Sequence, residues 1–167
     1  MIALFIGRFQ PFHMGHLRVI KEYSLLYDKI AIGIGSSQYH HTKENPFTVE
    51  ERERMIRDSL KKEEIDNYEI YCIPDIHNYP KWVSHVESIV PEFDVVLARN
   101  PLTVKLFKDK GYKVIEPPQY YGNECSGSEI RKRIAEDEKW KHLVPDAVIK
   151  VIEEIGGVER IKRLYME

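Results

Sequence analysis

The stretch Ile2–His16, IALFIGRFQPFHMGH, decides the fold of this chain and contains its first candidate site. Its apolar run Ile2–Ile6 predicts a buried strand that ends at Gly7-Arg8, and a helical pattern is established by Leu17. The first turn of a helix presents unpaired backbone N–H groups and a partial positive charge, so anions bind there readily. The stretch therefore predicts a strand, a tight turn and a helix start suited to an anion.

Two histidines mark that helix start. His13 and His16 are three residues apart, so both side chains can face one bound group. Either histidine alone is more often a helix cap or a solvent-exposed side chain. Gly7 lets a ligand approach the backbone closely, and Arg8 adds a cation. Together these four residues favour a phosphate or nucleotide site.

Length and composition limit the classes of protein to consider. The 167 residues suffice for one domain, 1–167, with a substantial core. A net charge of −2 argues against general electrostatic binding to nucleic acid or anionic membrane. No segment approaches the roughly 18 apolar residues of a membrane span, and the N-terminal run is typical of a strand rather than a signal peptide. We therefore expect a cytoplasmic protein in which Cys72 and Cys125, lacking metal or redox spacing, are free thiols.

Five short β-rich runs alternate with helical patterns along the chain. The predicted strands are Ile2–Arg8, Lys29–Gly35, Tyr68–Pro74, Asp94–Ala98 and Lys113–Glu116. The predicted helices are His16–Tyr27, Val49–Lys62, Lys81–Val90, Thr103–Lys110, Ser128–Glu138, Asp146–Ile155 and Val158–Leu164. This order predicts a Rossmann-like α/β fold, with a parallel sheet of about five strands, helices on both faces and a C-terminal helical segment. Ligands of such sheets bind beyond the carboxyl ends of the strands.

A second candidate site lies at residues 125–134, CSGSEIRKRI. Ser126 and Glu129 fit a capping box, which by itself would be purely structural. Gly127 and Ser128 leave this helix start sterically open, and Arg131 lies one turn in, where its planar guanidinium suits phosphate oxygens. Both interpretations stay open from this segment alone.

Two further segments follow predicted strands. The loop 35–47, GSSQYHHTKENPF, is long and polar, which is typical of functional loops, and its His40, His41 and Lys43 could approach a phosphate. No Cys or carboxylate lies at ligand spacing, so a zinc site is not indicated. Trp82 is either core packing or a platform for a base or a pyridinium ring.

The segment around Trp82 also carries polar groups. Asp75 and Asn78 could hydrogen-bond an amide or a ribose near the indole. Elsewhere the chain has no GxxxxGK[ST] loop, no GxSxG elbow and no GxGxxG turn after the first strand. These absences argue against a P-loop kinase, a serine hydrolase and a dinucleotide-binding dehydrogenase.

The motifs His13-Met-Gly-His16 and Ser126-Gly-Ser-Glu-Ile-Arg131 resemble the [HT]xGH loop and the late SxxxxR helix start of the nucleotidylyltransferase superfamily. The longer string GRFQPFHMGH, the SSQ…NPFT loop, the Trp82 segment and the C-terminal GVERIK resemble the archaeal-type nicotinamide mononucleotide adenylyltransferases over nearly the whole chain. The first motif is shared with enzymes for pantetheine phosphate, FMN, glycerol phosphate and cytidylyl substrates, so the substrate depends on the longer match. Cys125 departs from the Ile that is usual in the superfamily.

The resemblance implies that ATP and nicotinamide mononucleotide react to give NAD and pyrophosphate. Mg²⁺ would be carried with ATP, bridging phosphates without a metal site in the protein. It also implies a homo-oligomer, a hexamer in the archaeal type. Two alternatives remain: transfer to another phosphorylated small molecule such as FMN or pantetheine phosphate, and a non-catalytic nucleotide-binding regulator.

The resemblance also assigns roles to individual residues. The predicted catalytic groups, which stabilise phosphate charge, are His13, His16, Arg8 and Arg131. The predicted ATP-binding residues are Gly7, Arg8, Phe9, His13, Gly15, His16, Asn100, Ser126, Gly127, Ser128 and Arg131. The predicted nicotinamide nucleotide-binding residues are Trp82, Asp75, Asn78, Ser36 and Phe47.

Overall fold

The computed structural model describes all residues, Met1–Glu167, as a parallel sheet covered by helices. The strands are β1 (Ile2–Gly7), β2 (Lys29–Gly35), β3 (Tyr68–Ile73), β4 (Val95–Leu97) and β5 (Lys113–Ile115). All neighbouring strands pair in parallel, in the order β3-β2-β1-β4-β5. The strand order reverses between β1 and β4, and this switch point is where ligands of such sheets bind. The prediction of a five-stranded Rossmann-like sheet is confirmed.

Seven α-helices and one short 3₁₀ turn complete the chain. The helices are α1 (Met14–Ser24), α2 (Val49–Lys62), α3 (Tyr79–Ile89), α4 (Pro101–Asp109), α5 (Gly127–Ala135), α6 (Asp146–Glu154) and α7 (Gly157–Met166). The 3₁₀ turn, Lys141–Leu143, was not predicted from the sequence. None of the helices combines the length and the apolar character that a membrane crossing requires.

The helices lie on both faces of the sheet, because alternate residues of β1 point to opposite sides. Ala3 and Phe5 belong to the larger core cluster, which contains buried residues of α1, α2, α5, α6 and α7. Leu4 belongs to the smaller cluster, which contains Val83 and Val86 of α3 and Phe107 of α4. The C-terminal helices therefore share the core that supports the start of α1.

Most predicted helix ends agree with the structure to within two residues, and α2 matches at both ends. The α2 start is fixed by a complete capping box: Thr48 Oγ1 accepts from Glu51 N (3.1 Å), and Glu51 Oε1 accepts from Thr48 N (2.8 Å). Two predicted ends are wrong by three residues: α1 ends at Ser24 rather than Tyr27, and α5 ends at Ala135 rather than Glu138, before Asp137, which has a left-handed φ of 57°. The starts of α1, α3 and α4 are each predicted two residues late.

Candidate active site

A cleft of about 900 Å³ lies at the switch point and is called here the β1–β4 cleft. Ile6 at the end of β1 and Leu97 at the end of β4 form part of its floor. The start of α1 contributes His13, Gly15 and His16, and the start of α5 contributes Ser126 and Gly127; Asn100 follows β4. The two predicted anion-binding helix ends thus meet at one cleft.

A second cavity, of about 680 Å³, lies on the other side of the β1 end and is called here the β1–β2 pocket. Ile6 and Thr103 line both cavities, so the two are adjacent. The predicted site residues in the β1–β2 pocket are Gly7, Arg8, Ser36, Asp75, Asn78 and Trp82. Two molecules bound in these cavities would meet beside the end of β1.

The histidine pair forms an N-terminal cap for α1. His13 Nδ1 accepts hydrogen bonds from Gly15 N (3.1 Å) and His16 N (3.3 Å), and His16 Nδ1 accepts from His13 N (3.1 Å). This is a reciprocal capping box in which imidazoles replace the usual hydroxyl and carboxylate. The cap explains why α1 begins at Met14, earlier than the apolar periodicity indicates.

These bonds fix the tautomer of both histidines. Because each Nδ1 accepts a backbone N–H, the neutral ring carries its proton on Nε2. Burial lowers the pKa of His13 to about 4, and it lowers the pKa of His16 well below its usual value. Both imidazoles are therefore neutral at physiological pH, and each retains one Nε2–H for donation to an anion.

Close packing holds the two rings in place. Their centroids are 3.5 Å apart, and the Phe12 ring stacks on His16 at 5.6 Å. The Phe9 ring meets His16 edge-on at 4.7 Å. Cys125, treated as a minor departure in the sequence, lies against this cap, with its Sγ 3.3 Å from Gly15 N and 3.4 Å from His13 Nδ1. The histidines thus occupy a preorganised and largely apolar wall of the cleft.

The α5 start carries only half of its predicted capping box. Ser126 Oγ accepts from Glu129 N (3.2 Å), whereas the Glu129 carboxylate accepts from Arg133 Nε (3.1 Å) and does not return to Ser126 N. A Cβ at Gly127 would lie 2.8 Å from Arg131 Nη1 and 3.2 Å from a backbone oxygen, so the close approach of these groups requires glycine.

The two arginines predicted to hold phosphates have different environments. Arg8 is exposed and lines the β1–β2 pocket rather than the β1–β4 cleft. Arg131 is 6% exposed, donates from Nη1 to Gln10 O (2.8 Å) and lines neither cavity. Its buried Nε has no hydrogen-bond partner. An unpaired buried donor is costly, but Arg131 lines neither cavity, so its predicted contact with phosphate stays a prediction.

Comparison with known proteins agrees with this arrangement. Residues 4–133 match the family model described as cytidylyltransferase-like. The chain is 54% identical to the nicotinamide-nucleotide adenylyltransferase of Methanococcus aeolicus, over 100% of this chain and 96% of that protein. It is 50% identical to the nicotinamide-nucleotide adenylyltransferase of Methanolobus tindarius, over 96% of this chain and 92% of that protein. The chain belongs to the nicotinamide-nucleotide adenylyltransferase family.

A solved structure supports the fold of this family member. The bifunctional NMN adenylyltransferase/ADP ribose pyrophosphatase of Francisella tularensis, complexed with AMP and a manganese ion, superposes with a TM-score of 0.80 at 23% identity. The match covers 99% of this chain and 52% of that protein, so this chain spans about half of its length. The likeness therefore shows a shared nucleotidyltransferase fold.

Two asparagines each line a cavity and also cap the start of a helix. Asn100 lines the β1–β4 cleft, and its Oδ1 accepts from Leu102 N (3.0 Å) and Thr103 N (3.2 Å). Asn78 lines the β1–β2 pocket, and its Oδ1 accepts from Lys81 N (3.2 Å). Because a cap uses only the amide oxygen, each Nδ2 remains a fixed donor beside its cavity.

Trp82 lies at the edge of the core and at a cavity, so both interpretations made from the sequence stay open. It is half-buried, packs against the smaller core cluster and also lines the β1–β2 pocket. Asp75, in the same pocket, accepts from His77 N (2.9 Å), which fixes its carboxylate. The indole, the carboxylate and the Asn78 amide therefore share one wall of this pocket.

Four predicted ligand-binding side chains lie outside both cavities: Arg131, described above, and Phe47, Phe9 and Ser128. Phe47 is 0% exposed and packs in the core, where its backbone pairs with the Gln10 side chain (2.9 and 3.0 Å). The prediction that Phe47 contacts the mononucleotide is therefore wrong, and the residue instead holds the loop after β2 against the core. Phe9 is also buried, beneath the histidines, and Ser128 is exposed with its Oγ 3.4 Å from Ser126 Oγ. A sequence pattern does not show which residues of a loop turn inward.

The loop histidines do not form a metal site. His40 and His41 are exposed, and their Nδ1 atoms lie 2.8 Å apart. No three His, Cys, Asp or Glu residues are grouped in a way that could hold a metal ion. Lys43 lies over the Tyr165 ring, 4.7 Å from its centroid, and lines neither cavity. This part of the loop is tied to α7 instead.

Two buried residues that hold the site together were not singled out in the sequence. Gln10 links the loop after β1 to Phe47, and it accepts from Arg131 through its backbone oxygen. Arg52 of α2 is completely buried below the β1–β2 pocket. A detectable signal was present for Arg52, because it lies on the apolar stripe of α2 with Met55, Ile56 and Leu60.

Proposed function

We propose that this protein transfers the adenylyl group of ATP to the 5′-phosphate of nicotinamide mononucleotide, giving NAD and pyrophosphate. The chain 1–167 acts as one nucleotidyltransferase domain. The observation that carries the proposal is the reciprocal His13–His16 cap at the switch point, beside a second cavity lined by Trp82. Family membership at 54% identity supports this activity over the alternatives.

ATP is assigned to the β1–β4 cleft and the mononucleotide to the β1–β2 pocket. The neutral histidines donate from Nε2 to phosphate oxygens, and the open amides at the start of α5 add donors. Asn100 borders the adenosine. Arg131 holds the loop after β1 through its bond to Gln10 O, and Arg8 lies on the acceptor side, in the β1–β2 pocket.

The reaction itself requires no nucleophilic side chain. A phosphate oxygen of the mononucleotide attacks the α-phosphorus of ATP, and the bond from that phosphorus to the β-bridging oxygen breaks. Pyrophosphate leaves with the electron pair of the broken bond. Because the attacking phosphate is already an anion, catalysis depends on alignment and on donors placed where negative charge develops.

A divalent metal enters this scheme as part of the substrate. No Asp or Glu lines the β1–β4 cleft, so the anionic ligands of the metal would be the phosphate oxygens of ATP. We propose MgATP as the form bound, with Mg²⁺ neutralising phosphate charge while the side chains orient the nucleotide.

Assembly and location are part of the same proposal. We propose a cytoplasmic homo-oligomer, hexameric by resemblance to the archaeal type, with no nucleic acid or membrane partner. Leu25 and Leu26 after α1 are 87% and 71% exposed, and adjacent exposed leucines are suited to burial between subunits. Light scattering coupled to size-exclusion chromatography measures the number of subunits.

The proposed activity is tested by pyrophosphate release from purified protein with ATP and Mg²⁺, offering one phosphorylated acceptor at a time. Nicotinamide mononucleotide should give rapid release with NAD as the product. Release only with FMN or pantetheine phosphate would contradict nicotinamide mononucleotide as the acceptor, but it would still support nucleotidyl transfer as the reaction. No release with any acceptor, while ATP still binds, would favour a nucleotide-binding regulator.

Replacing Trp82 by Ala should raise KM for nicotinamide mononucleotide about tenfold and leave KM for ATP nearly unchanged. A cationic ring stacked on indole gains about 1–2 kcal/mol when partly desolvated, and that energy is lost with the ring. Steady-state kinetics with each substrate varied in turn measure the two constants.

The Trp82→Phe variant is the matched control, since it keeps an aromatic face with a weaker quadrupole. Its KM should lie between those of the wild type and Trp82→Ala. An equal rise of KM for both substrates, or loss of the folded state in Trp82→Ala, would show that Trp82 is a core residue without a role in acceptor binding.

A further inference from the structure

Arg52 is a buried cation whose hydrogen bonds all go to backbone carbonyls. Its side chain is 0% exposed. Nη1 donates to Arg8 O and Gly35 O (both 3.0 Å), and Nη2 donates to Ser36 O (3.3 Å) and Tyr39 O (3.2 Å). Nε donates to Thr48 O (3.3 Å), one turn back in the chain. All five donor positions of the guanidinium are therefore engaged.

The five carbonyls belong to three segments, and Arg52 donates to all three. One segment is the turn after β1, at Arg8, and another is the end of β2 with its following loop, from Gly35 to Tyr39. The third is the start of α2 at Thr48. Arg8, Gly35 and Ser36 line the β1–β2 pocket, whereas none of the five carbonyl-bearing residues lines the β1–β4 cleft. Arg52 thus supports one cavity and not the other.

Two of these connections hold unfavourable backbone in place. Ser36 has a φ of 46°, and Phe9, joined to the Arg8 carbonyl by one peptide bond, has a φ of 53°. Left-handed conformations of non-glycine residues cost about 1 kcal/mol or more and persist where the surroundings determine them. Hydrogen bonds from a charged donor are strong enough to offset that cost.

No carboxylate accepts a hydrogen bond from Arg52. Its neighbour Glu51 is bound to Arg160 at 2.7 and 2.9 Å, and to Thr48 N at 2.8 Å. Burial lowers the pKa of Arg52 to about 10, which still leaves it protonated at neutral pH. A structural arginine would be expected to pair with an acid, since burying an unpaired charge is costly. The choice of carbonyl partners indicates a requirement for the geometry of the turns.

We infer that Arg52 is a positioning residue for the acceptor substrate, holding the turns after β1 and β2 in the arrangement that forms the β1–β2 pocket. This inference rests on the proposed function for the identity of the acceptor. Arg52 lines neither cavity, and its effect passes through the backbone of Arg8, Gly35 and Ser36.

The test compares Arg52→Lys and Arg52→Gln with Arg54→Lys in the full chain. Arg54 is on the same helix and pairs with Glu154 at the surface, so it controls for loss of a guanidinium from α2. Lysine keeps the charge but has one nitrogen, which cannot span carbonyls from three segments. Glutamine supplies two donors without charge.

Both Arg52 variants should raise KM for nicotinamide mononucleotide about tenfold and lower kcat, since misplaced substrates react slowly. The dissociation constant of ATP, measured by calorimetry, should stay within about twofold of wild type. Arg54→Lys should match the wild type in all three constants.

Each other outcome contradicts the inference. Wild-type kinetics in Arg52→Lys would show that the charge alone is sufficient. An equal loss of affinity for ATP and for the acceptor would show a general effect on the fold. Failure of both Arg52 variants to fold, with Arg54→Lys intact, would assign Arg52 to global stability. The proposed function fails separately, if the wild type itself makes no NAD.

Discussion

Replacing His16 by Ala should lower kcat by about 10² or more and change the dissociation constant of ATP far less. The His16 ring is fixed by its Nδ1 bond from His13 N and by stacking on His13 and Phe12, so its Nε2–H is preorganised. A donor placed where charge develops in the transition state contributes a factor of about 10²–10³. Single-turnover kinetics and calorimetry separate the chemical step from ATP binding.

A control for this variant is His142→Ala, which removes an exposed histidine from the 3₁₀ turn outside both proposed substrate cavities. Its kcat should equal that of the wild type. Because His16 is also half of the α1 cap, the melting temperature of His16→Ala is measured as well. Near-normal turnover in a folded His16→Ala protein would exclude the proposed role.

The sequence predicts the fold well because local and tertiary signals agree along most of the chain. Helix α2 carries a standard Thr48–Glu51 capping box, acidic residues at its start and lysines at its end, and both boundaries are predicted correctly. The starts of α1, α3 and α4 are each predicted two residues late, and at α1 the capping group is an imidazole Nδ1. Side-chain rules that rank Ser, Thr, Asp and Asn as caps do not anticipate His13.

The site is predicted less completely than the fold. The sequence indicates which segments reach the cavities, but not which of their side chains are buried in the core. His13, His16, Ser126 and Trp82 line cavities as expected, because their motifs place them at strand and helix ends, while their roles stay predictions. Phe47 lies in an equally notable loop but turns into the core. Its direction depends on tertiary contacts that a local pattern does not contain, among them the pairing of its backbone with the Gln10 side chain.

Arg52 is the reverse case of Phe47: it supports the site but was not predicted, although its position on the apolar face of α2 is unusual for a charged residue. A charge on the apolar stripe of an amphipathic helix conflicts with burial unless it has buried partners. Its partners are backbone carbonyls at the start of its own helix and in two distant segments, and these carry no sequence signature. Arg52 is therefore recognisable as unusual from the sequence, but its role is visible only in the folded chain.

The stability of this protein should fall as the pH is lowered from about 6.5 toward 4, and His13 should account for much of the loss. The folded-state pKa of His13 is about 4, below its ordinary value of 6.5, because burial disfavours the charged ring. Between these values the unfolded chain binds a proton that the folded chain does not, so acid favours unfolding. The contribution is fully present above pH 6.5, with about 2 kcal/mol lost by pH 5 and about 3 kcal/mol by pH 4.

His13→Asn separates this effect from other acid-sensitive groups. Asparagine is a favoured helix cap and does not titrate, so the variant should keep α1 and show a flatter fall in the free energy of unfolding between pH 7 and 5. Burial lowers the pKa of His16 in the same direction, so part of the slope should remain. Urea unfolding of both proteins at pH 7 and pH 5 measures the difference. Equal slopes for the wild type and the variant would mean that His13 titrates normally and can hold phosphate as a cation, contrary to the neutral donor required by its cap.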